Sequence, residues 1–117
     1  MFHDLAHTKL DVFASSREFV LSCYKLSKLL PQDERFNMTQ QVRRAALSVQ
    51  LNIAEGSSRK SVVERRRFYG ISRGSLIEID TIFDIAVALE YFKKDELSEA
   101  GTLMIKSFQM LRTMIVY

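Results

Sequence analysis

Apolar residues recur along the chain every three to four residues, the spacing typical of amphipathic helices, in four separate segments. The pattern predicts helices over residues 12–30, 38–57, 62–92 and 95–116, and Pro31 ends the first of them. No segment alternates apolar and polar residues as a half-buried strand would. Four amphipathic helices joined by short connections predict an all-α fold, an antiparallel up-down-up-down four-helix bundle in a single domain.

Capping signals precede the first three helices. Asp11 stands where a side chain can cap the first helix. Asn37 with Gln40, and Ser61 with Glu64, have the spacing of a capping box. We therefore expect the second and third helices to begin at these positions.

Two of the helices carry more apolar surface than one small bundle can bury. On the second helix, a stripe of Leu47, Leu51 and Ala54 lies opposite the core-facing stripe. Small and apolar residues likewise form a second flank on the third helix, where Gly70 and Gly74 predict close approach by a neighbouring helix. A homo-oligomer would cover these surfaces, and its predicted interface residues are Leu47, Leu51, Gly70, Gly74, Ile77 and Ile85.

Composition places the chain in a reducing compartment. Its 117 residues suffice for one domain with a real core, and the net charge is only +3. The one cysteine, Cys23, lies on an apolar helix face and has no internal partner for a disulfide, so we expect it in the core of a cytoplasmic protein. No run of about 18 apolar residues suggests a membrane span.

Residues 40–75 hold most of the basic charge, with eight basic against two acidic residues, a local balance of +6. Arg66, Tyr69 and Arg73 are spaced i, i+3, i+7 and share a helix face, where arginines suit phosphates and tyrosine can stack on an exposed base. Arg59 and Lys60 lie beside a helix N-terminus, which attracts anions. The predicted nucleic-acid-binding residues are Arg43, Arg44, Arg59, Lys60, Arg66, Tyr69 and Arg73.

A second interpretation of the basic residues remains open. They can form a solvated helix face whose arginines pair with acids of a neighbouring subunit, such as Asp80 or Asp84. Repetition of the cluster in an oligomer favours nucleic acid, because multivalency raises avidity without any new contact.

The corner between the second and third helices also holds a polar group, made of Ser48, Asn52, Glu55 and Gly56. Glu55 could act as a general base, but no histidine or cysteine nucleophile accompanies it. A hydrogen-bonded network that fixes the corner is the favoured interpretation. His3 and His7 have a ligand spacing without a third ligand nearby. The sequence thus predicts a non-enzymatic protein with no metal and no cofactor.

Several motifs carry a family resemblance over nearly the whole chain. They are Leu-Asp-Val-Phe at residues 10–13, Gln-Val-Arg-Arg-Ala at 41–45, Asn-Ile-Ala-Glu-Gly at 52–56, and Arg-Gly-Ser at 73–75 followed by Glu78. With these motifs the chain resembles the bacterial four helix bundle protein family, which is encoded in intervening sequences of large-subunit ribosomal RNA genes and often labelled ribosomal-protein-like.

The resemblance implies a four-helix bundle assembled as a ring, commonly a pentamer. It also implies a distant relation to accessory proteins of diversity-generating retroelements, which bind nucleic acid and a reverse transcriptase. Many members have proline where this chain has Gln50, so a kink in the second helix is not implied here.

Two hypotheses for function follow. The first is a non-catalytic oligomer that binds nucleic acid, with structured RNA favoured, through phosphate contacts. The second is a homo-oligomeric scaffold that recruits an enzyme of the polymerase type, such as a reverse transcriptase.

Overall fold

The computed structural model describes Leu5 and residues 10–116, and within this part of the chain the fold is all helical. The helices are α1 (Asp11–Ser27), α2 (Met38–Ser58), α3 (Val62–Ala88) and α4 (Ser98–Val116), with short 3₁₀ turns at Gln32–Glu34 and Lys94–Leu97. Each helix contacts the next along the chain, and α1 also contacts α4. These contacts confirm the predicted all-α bundle.

The core lies along the centre of the bundle and receives side chains from all four helices. Its most deeply buried members include Phe19, Val49, Leu76 and Leu111. Cys23 lies among them, as expected, and burial raises the pKa of its thiol to about 12. The thiol is therefore protonated and unreactive at neutral pH.

Three helix boundaries differ from the predicted ones by three residues or more. Helix α1 ends at Ser27 rather than at residue 30, and α3 ends at Ala88 rather than at residue 92. Helix α4 begins at Ser98, after a 3₁₀ turn, rather than at residue 95. The apolar pattern continues past both helix ends because Leu30 and Phe92 pack on the core from the connecting turns.

The end of α3 shows how such a turn is formed. Glu90 adopts a φ of 65°, a left-handed conformation that a helix cannot continue through. The chain therefore reverses, and the ring of Phe92 returns to the core edge-on against Phe83, with centroids 6.0 Å apart. Contact with the hydrophobic core therefore continues in the residues that follow the end of α3.

The helix caps confirm one prediction and correct two. The Ser61 hydroxyl accepts a hydrogen bond from the backbone N–H of Glu64 at 3.3 Å, so it caps α3 as predicted. Asn37 occupies the capping position of α2, but its side chain makes no capping hydrogen bond, and its amide donates to the Glu34 carboxylate at 3.1 Å. Asp11 is the first residue of α1, and Leu10 occupies the capping position without a side-chain hydrogen bond.

Hydrogen bonds from small polar side chains join the helices inside the bundle. The Ser72 hydroxyl donates to the Val49 carbonyl at 2.8 Å and links α3 to α2. Gln50 links α2 to α1, because its amide donates to the Phe13 carbonyl at 3.1 Å and its side-chain oxygen accepts from Ser16. Proline at this position would lose both contacts, and α2 runs through Gln50 as a continuous helix. Within residues 10–116, none of the helices combines the length and the apolarity needed to cross a membrane.

Candidate nucleic-acid interface

The corner between α2 and α3 is a tight connection of three residues, 59–61. The guanidinium of Arg65, from the first turn of α3, donates to the carbonyls of Arg59 at 2.9 Å and Lys60 at 2.8 Å. These carbonyls follow the end of α2 and have no place in a helical hydrogen-bond ladder. Arg65 therefore clamps the corner. Arg65 is one of five basic residues between positions 59 and 67, and nothing in the sequence distinguishes it from the other four.

Gly56 allows α2 and α3 to approach closely beside this corner. A Cβ atom at Gly56 would lie 2.7 Å from Cε1 and 2.9 Å from Cδ1 of Tyr69. The tyrosine is only 6% exposed, and burial raises the pKa of its hydroxyl, with a smaller opposing effect from the positive charge of Arg65. The prediction that Tyr69 stacks on an exposed base is therefore wrong, because its ring is packed against α2.

Two of the basic residues near the corner are already neutralised. Arg59 forms an ion pair with Glu55 at 3.0 Å, and Arg67 forms one with Glu64 at 3.3 Å. Both guanidinium groups also lie over the ring of Phe68, at 4.9 and 5.2 Å from its centroid. Stacking holds these arginines against the surface, so Arg59 offers less free charge than the sequence suggested.

Three predicted phosphate-binding residues, Lys60 at the corner and Arg66 and Arg73 along α3, keep their charge uncompensated. Within residues 10–116, Lys60, Arg66 and Arg73 have no carboxylate within 4.0 Å. Lys60 and Arg66 are exposed and Arg73 is half-buried. Arg66 and Arg73 lie two turns apart on one face of α3, about 10.5 Å along the helix axis. We call Lys60, Arg66 and Arg73 the corner cluster.

Arg43 and Arg44 lie far from the corner itself. They lie near the start of α2, and Arg44 is about 22 Å along the helix from Arg59. The Nε of Arg43 donates to the Ser27 hydroxyl at 2.9 Å, and its guanidinium lies 5.6 Å from the centroid of the Tyr24 ring. Arg43 thus joins α1 to α2.

The polar group at the corner is a link between helices. The Asn52 amide donates to the carbonyl of Ser48 at 2.8 Å and to its hydroxyl at 3.1 Å, and the Ser75 hydroxyl lies 2.8 Å from that same hydroxyl. Glu55 does not join these hydrogen bonds, because it is exposed and paired with Arg59. Ser72 and Ser75 were missed as linking residues, since serine on a core face gives no distinctive sequence signal.

His3 and His7 lie outside the described residues. In the part of the chain that the structure describes, no three histidine, cysteine or acidic side chains come together as metal ligands do.

The outer surface of α2 and α3 carries uncovered apolar side chains. Leu47, Leu51, Ile77 and Ile85 are all exposed, and Ile71, which the sequence pattern did not single out, is exposed as well. A Cβ atom added at Gly70 or Gly74 would meet no atom within 4 Å. The close helix approach predicted for these glycines therefore does not occur within the chain. We call the six predicted residues the α2–α3 face: Leu47, Leu51, Gly70, Gly74, Ile77 and Ile85.

These features define an all-α bundle with a clamped basic corner and an exposed apolar face. The chain belongs to the 23S rRNA-intervening sequence protein family, whose pattern matches residues 8–113. Among solved structures it is similar to a protein of unknown function from the S23 ribosomal protein family of Bacteroides thetaiotaomicron VPI-5482. The TM-score is 0.81 at 21% identity, over 89% of this chain and 97% of the other, which shows the fold alone. No curated protein matches the chain.

Proposed function

We propose that the protein is a non-catalytic, cytoplasmic homo-oligomer that binds structured RNA through its phosphates. The observation that carries this proposal is the corner cluster, in which Lys60, Arg66 and Arg73 have no carboxylate partner within the described residues. The family description, which refers to an intervening sequence of 23S ribosomal RNA, supports RNA as the nucleic acid.

The chemistry of the corner favours contacts to the backbone of the nucleic acid. Arginine presents a planar fork of donors that matches a phosphate, and Lys60 lies beside the N-terminus of α3, where the helix dipole attracts anions. Phosphate contacts position a protein without reading sequence. Because Tyr69 is buried, its ring offers no stacking platform for a splayed base. Folded RNA with a continuous backbone is therefore the preferred ligand.

Formation of an oligomer strengthens the binding of RNA beyond what a single corner cluster provides. The α2–α3 face exposes leucine and isoleucine side chains, which a second copy of the chain can cover. A ring, which the family resemblance implies to be commonly a pentamer, would repeat the corner cluster around its axis. Repeated weak contacts to one RNA raise avidity.

A protein-interaction scaffold is the second candidate function, and one observation favours it. Helices α3 and α4 enclose a groove of about 450 Å³ whose lining includes Ile77, Met104 and Phe108, with Ile105 exposed at its edge. Such an apolar groove suits a helix of another protein. In this alternative the oligomer recruits a polymerase-type enzyme such as a reverse transcriptase.

Nitrocellulose filter binding over a salt series tests the proposed function. The unmodified protein is expected to retain a hairpin RNA at low salt, and the logarithm of the association constant should fall linearly with the logarithm of salt concentration, because each neutralised phosphate releases counterions. Hairpins of unrelated sequence should bind alike. A protein that retains neither RNA nor DNA at 50 mM salt would favour the scaffold instead.

A further inference from the structure

A second positively charged site lies away from the corner, between the end of α1 and the start of α2. We propose that this α1–α2 cleft binds a phosphate monoester group. The cleft is an open cavity of about 290 Å³ whose lining includes Ser27, Lys28, Arg35, Thr39 and Arg43. The site goes beyond the proposed function, since it shares no residue with the corner cluster.

The charge of the cleft is uniformly positive. Lys28, Arg35 and Arg43 contribute three cations, and none of the residues that line the cavity is acidic. Glu34 lies nearby in the chain, but its carboxylate accepts hydrogen bonds from Asn37 at 3.1 Å and from Tyr91 at 3.0 Å. The end of α1 and the start of α2 contribute opposite partial charges of about half a unit each, which largely cancel. The side chains therefore decide the sign.

Arg43 is held in position before any ligand arrives. Its Nε donates to the Ser27 hydroxyl at 2.9 Å, which itself donates to the Tyr24 carbonyl at 2.8 Å, and its guanidinium stacks on the Tyr24 ring. No acceptor among the described residues engages its two terminal amino groups. A fixed guanidinium with free donors is the arrangement that recognises phosphate oxygens, because little entropy is lost on binding.

Thr39 supplies a further donor. The residue is only 9% exposed, yet its hydroxyl makes no hydrogen bond with any described residue. Every fully buried polar side-chain atom in that part of the chain has a partner, so the Thr39 hydroxyl must reach solvent, and the cleft that Thr39 lines provides the route. The hydroxyl is therefore free to hydrogen-bond a group that enters the cleft, and a phosphate oxygen would be such a partner.

The phosphate can come from two sources. It can be the 5′-terminal phosphate of an RNA or a small phosphorylated molecule, and both present the same charged oxygens. The cavity exceeds the volume of several waters at about 30 Å³ each, so it admits a phosphate together with the start of the group that carries it. The two sources are separated by experiment.

The first measurement uses inorganic phosphate as the probe, at ionic strength matched with chloride. Phosphate is expected to raise the melting temperature of the unmodified protein. The double variant Lys28→Gln/Arg35→Gln should lose this shift, and both side chains are exposed, so the fold should survive. A matched control, Arg17→Gln/Lys106→Gln, removes two exposed cations elsewhere and should keep the shift. No phosphate-dependent shift in the unmodified protein, or an equal shift in the cleft variant, would overturn the proposal.

The second measurement compares one RNA with a 5′-phosphate or a 5′-hydroxyl, in the Arg66→Gln/Arg73→Gln background to suppress binding at the corner. A preference of about tenfold for the 5′-phosphate, lost in the cleft variant, identifies an RNA end as the ligand. Equal binding of the two RNAs, together with the phosphate-dependent shift, identifies a small phosphorylated molecule and still supports the cleft. Loss of the 5′-phosphate preference in the control variant as well would contradict it.

Discussion

Replacing Leu51 with glutamate is expected to convert the assembled protein into helical monomers. Leu51 is 60% exposed on the α2–α3 face, so in an isolated subunit the substitution should change stability by no more than about 0.5 kcal/mol. In an assembled interface the carboxylate would be buried without a partner, which costs about 3–5 kcal/mol. That cost corresponds to a loss of at least a hundredfold in association. Light scattering gives the mass, and circular dichroism gives the helix content.

Leu29 offers a matched control for this experiment. It is 61% exposed and lies beyond the end of α1, away from the α2–α3 face. Leu29→Glu should therefore keep the mass of the unmodified protein. A monomeric unmodified protein at micromolar concentration, or a Leu51→Glu variant of unchanged mass, would show that the α2–α3 face is not the interface.

Replacing Gly56 with alanine is expected to destabilise the bundle by about 2 kcal/mol. The new Cβ would lie 2.7 Å from Cε1 and 2.9 Å from Cδ1 of the buried Tyr69 ring, so either the ring or the two helices must shift. Overpacking costs about 1–3 kcal/mol, and two contacts this short place the cost at the upper end. Alanine's better helix propensity returns about 1 kcal/mol. Urea unfolding measures the difference.

Gly101 provides the opposite expectation on α4. A Cβ atom there would meet no atom within 4 Å, so Gly101→Ala should stabilise the protein by about 0.5–1 kcal/mol through helix propensity alone. If Gly56→Ala proves as stable as the unmodified protein, the close packing of α2 on Tyr69 is not what fixes the corner.

The helices could be predicted from the sequence because burial imposes a period close to 3.6 on apolar residues. Their ends were less predictable, since burial does not require helical backbone. Leu30 and Phe92 satisfy the period and reach the core, but they do so from turns. Just after the end of α3, Glu90 adopts a left-handed φ. Glycine or asparagine usually marks such a position in a sequence, and neither is present here.

The corner cluster was predictable in part, because charge density along the chain identifies a basic segment. Its composition changed for geometric reasons. Because a helix rises about 1.5 Å per residue, Arg44 near the start of α2 lies far from the corner at its end, although both belong to the same basic segment of the sequence. Residues spaced i, i+3, i+7 share a broad face, and only the packing of α2 decides that Tyr69 lies on the buried side of it while Arg66 lies on the exposed side.

The ion pairs that neutralise Arg59 and Arg67 could have been predicted from the sequence. Glu55 precedes Arg59 by four residues and Glu64 precedes Arg67 by three, spacings at which opposite charges on a helix surface meet. The α1–α2 cleft could not be predicted, because Lys28, Arg35 and Arg43 come together through the connection between two helices rather than through a shared helix face.

The salt dependence of RNA binding by Arg66→Gln/Arg73→Gln locates the interface most directly. The variant should bind all hairpins more weakly, and its log–log salt slope should be shallower by about 1.4–1.8 for each subunit in contact, at about 0.7–0.9 per phosphate. Arg17→Gln/Lys106→Gln should keep the original slope. A corner variant that binds as tightly as the unmodified protein, with the same slope, would contradict binding at the corner cluster and leave the scaffold as the leading function.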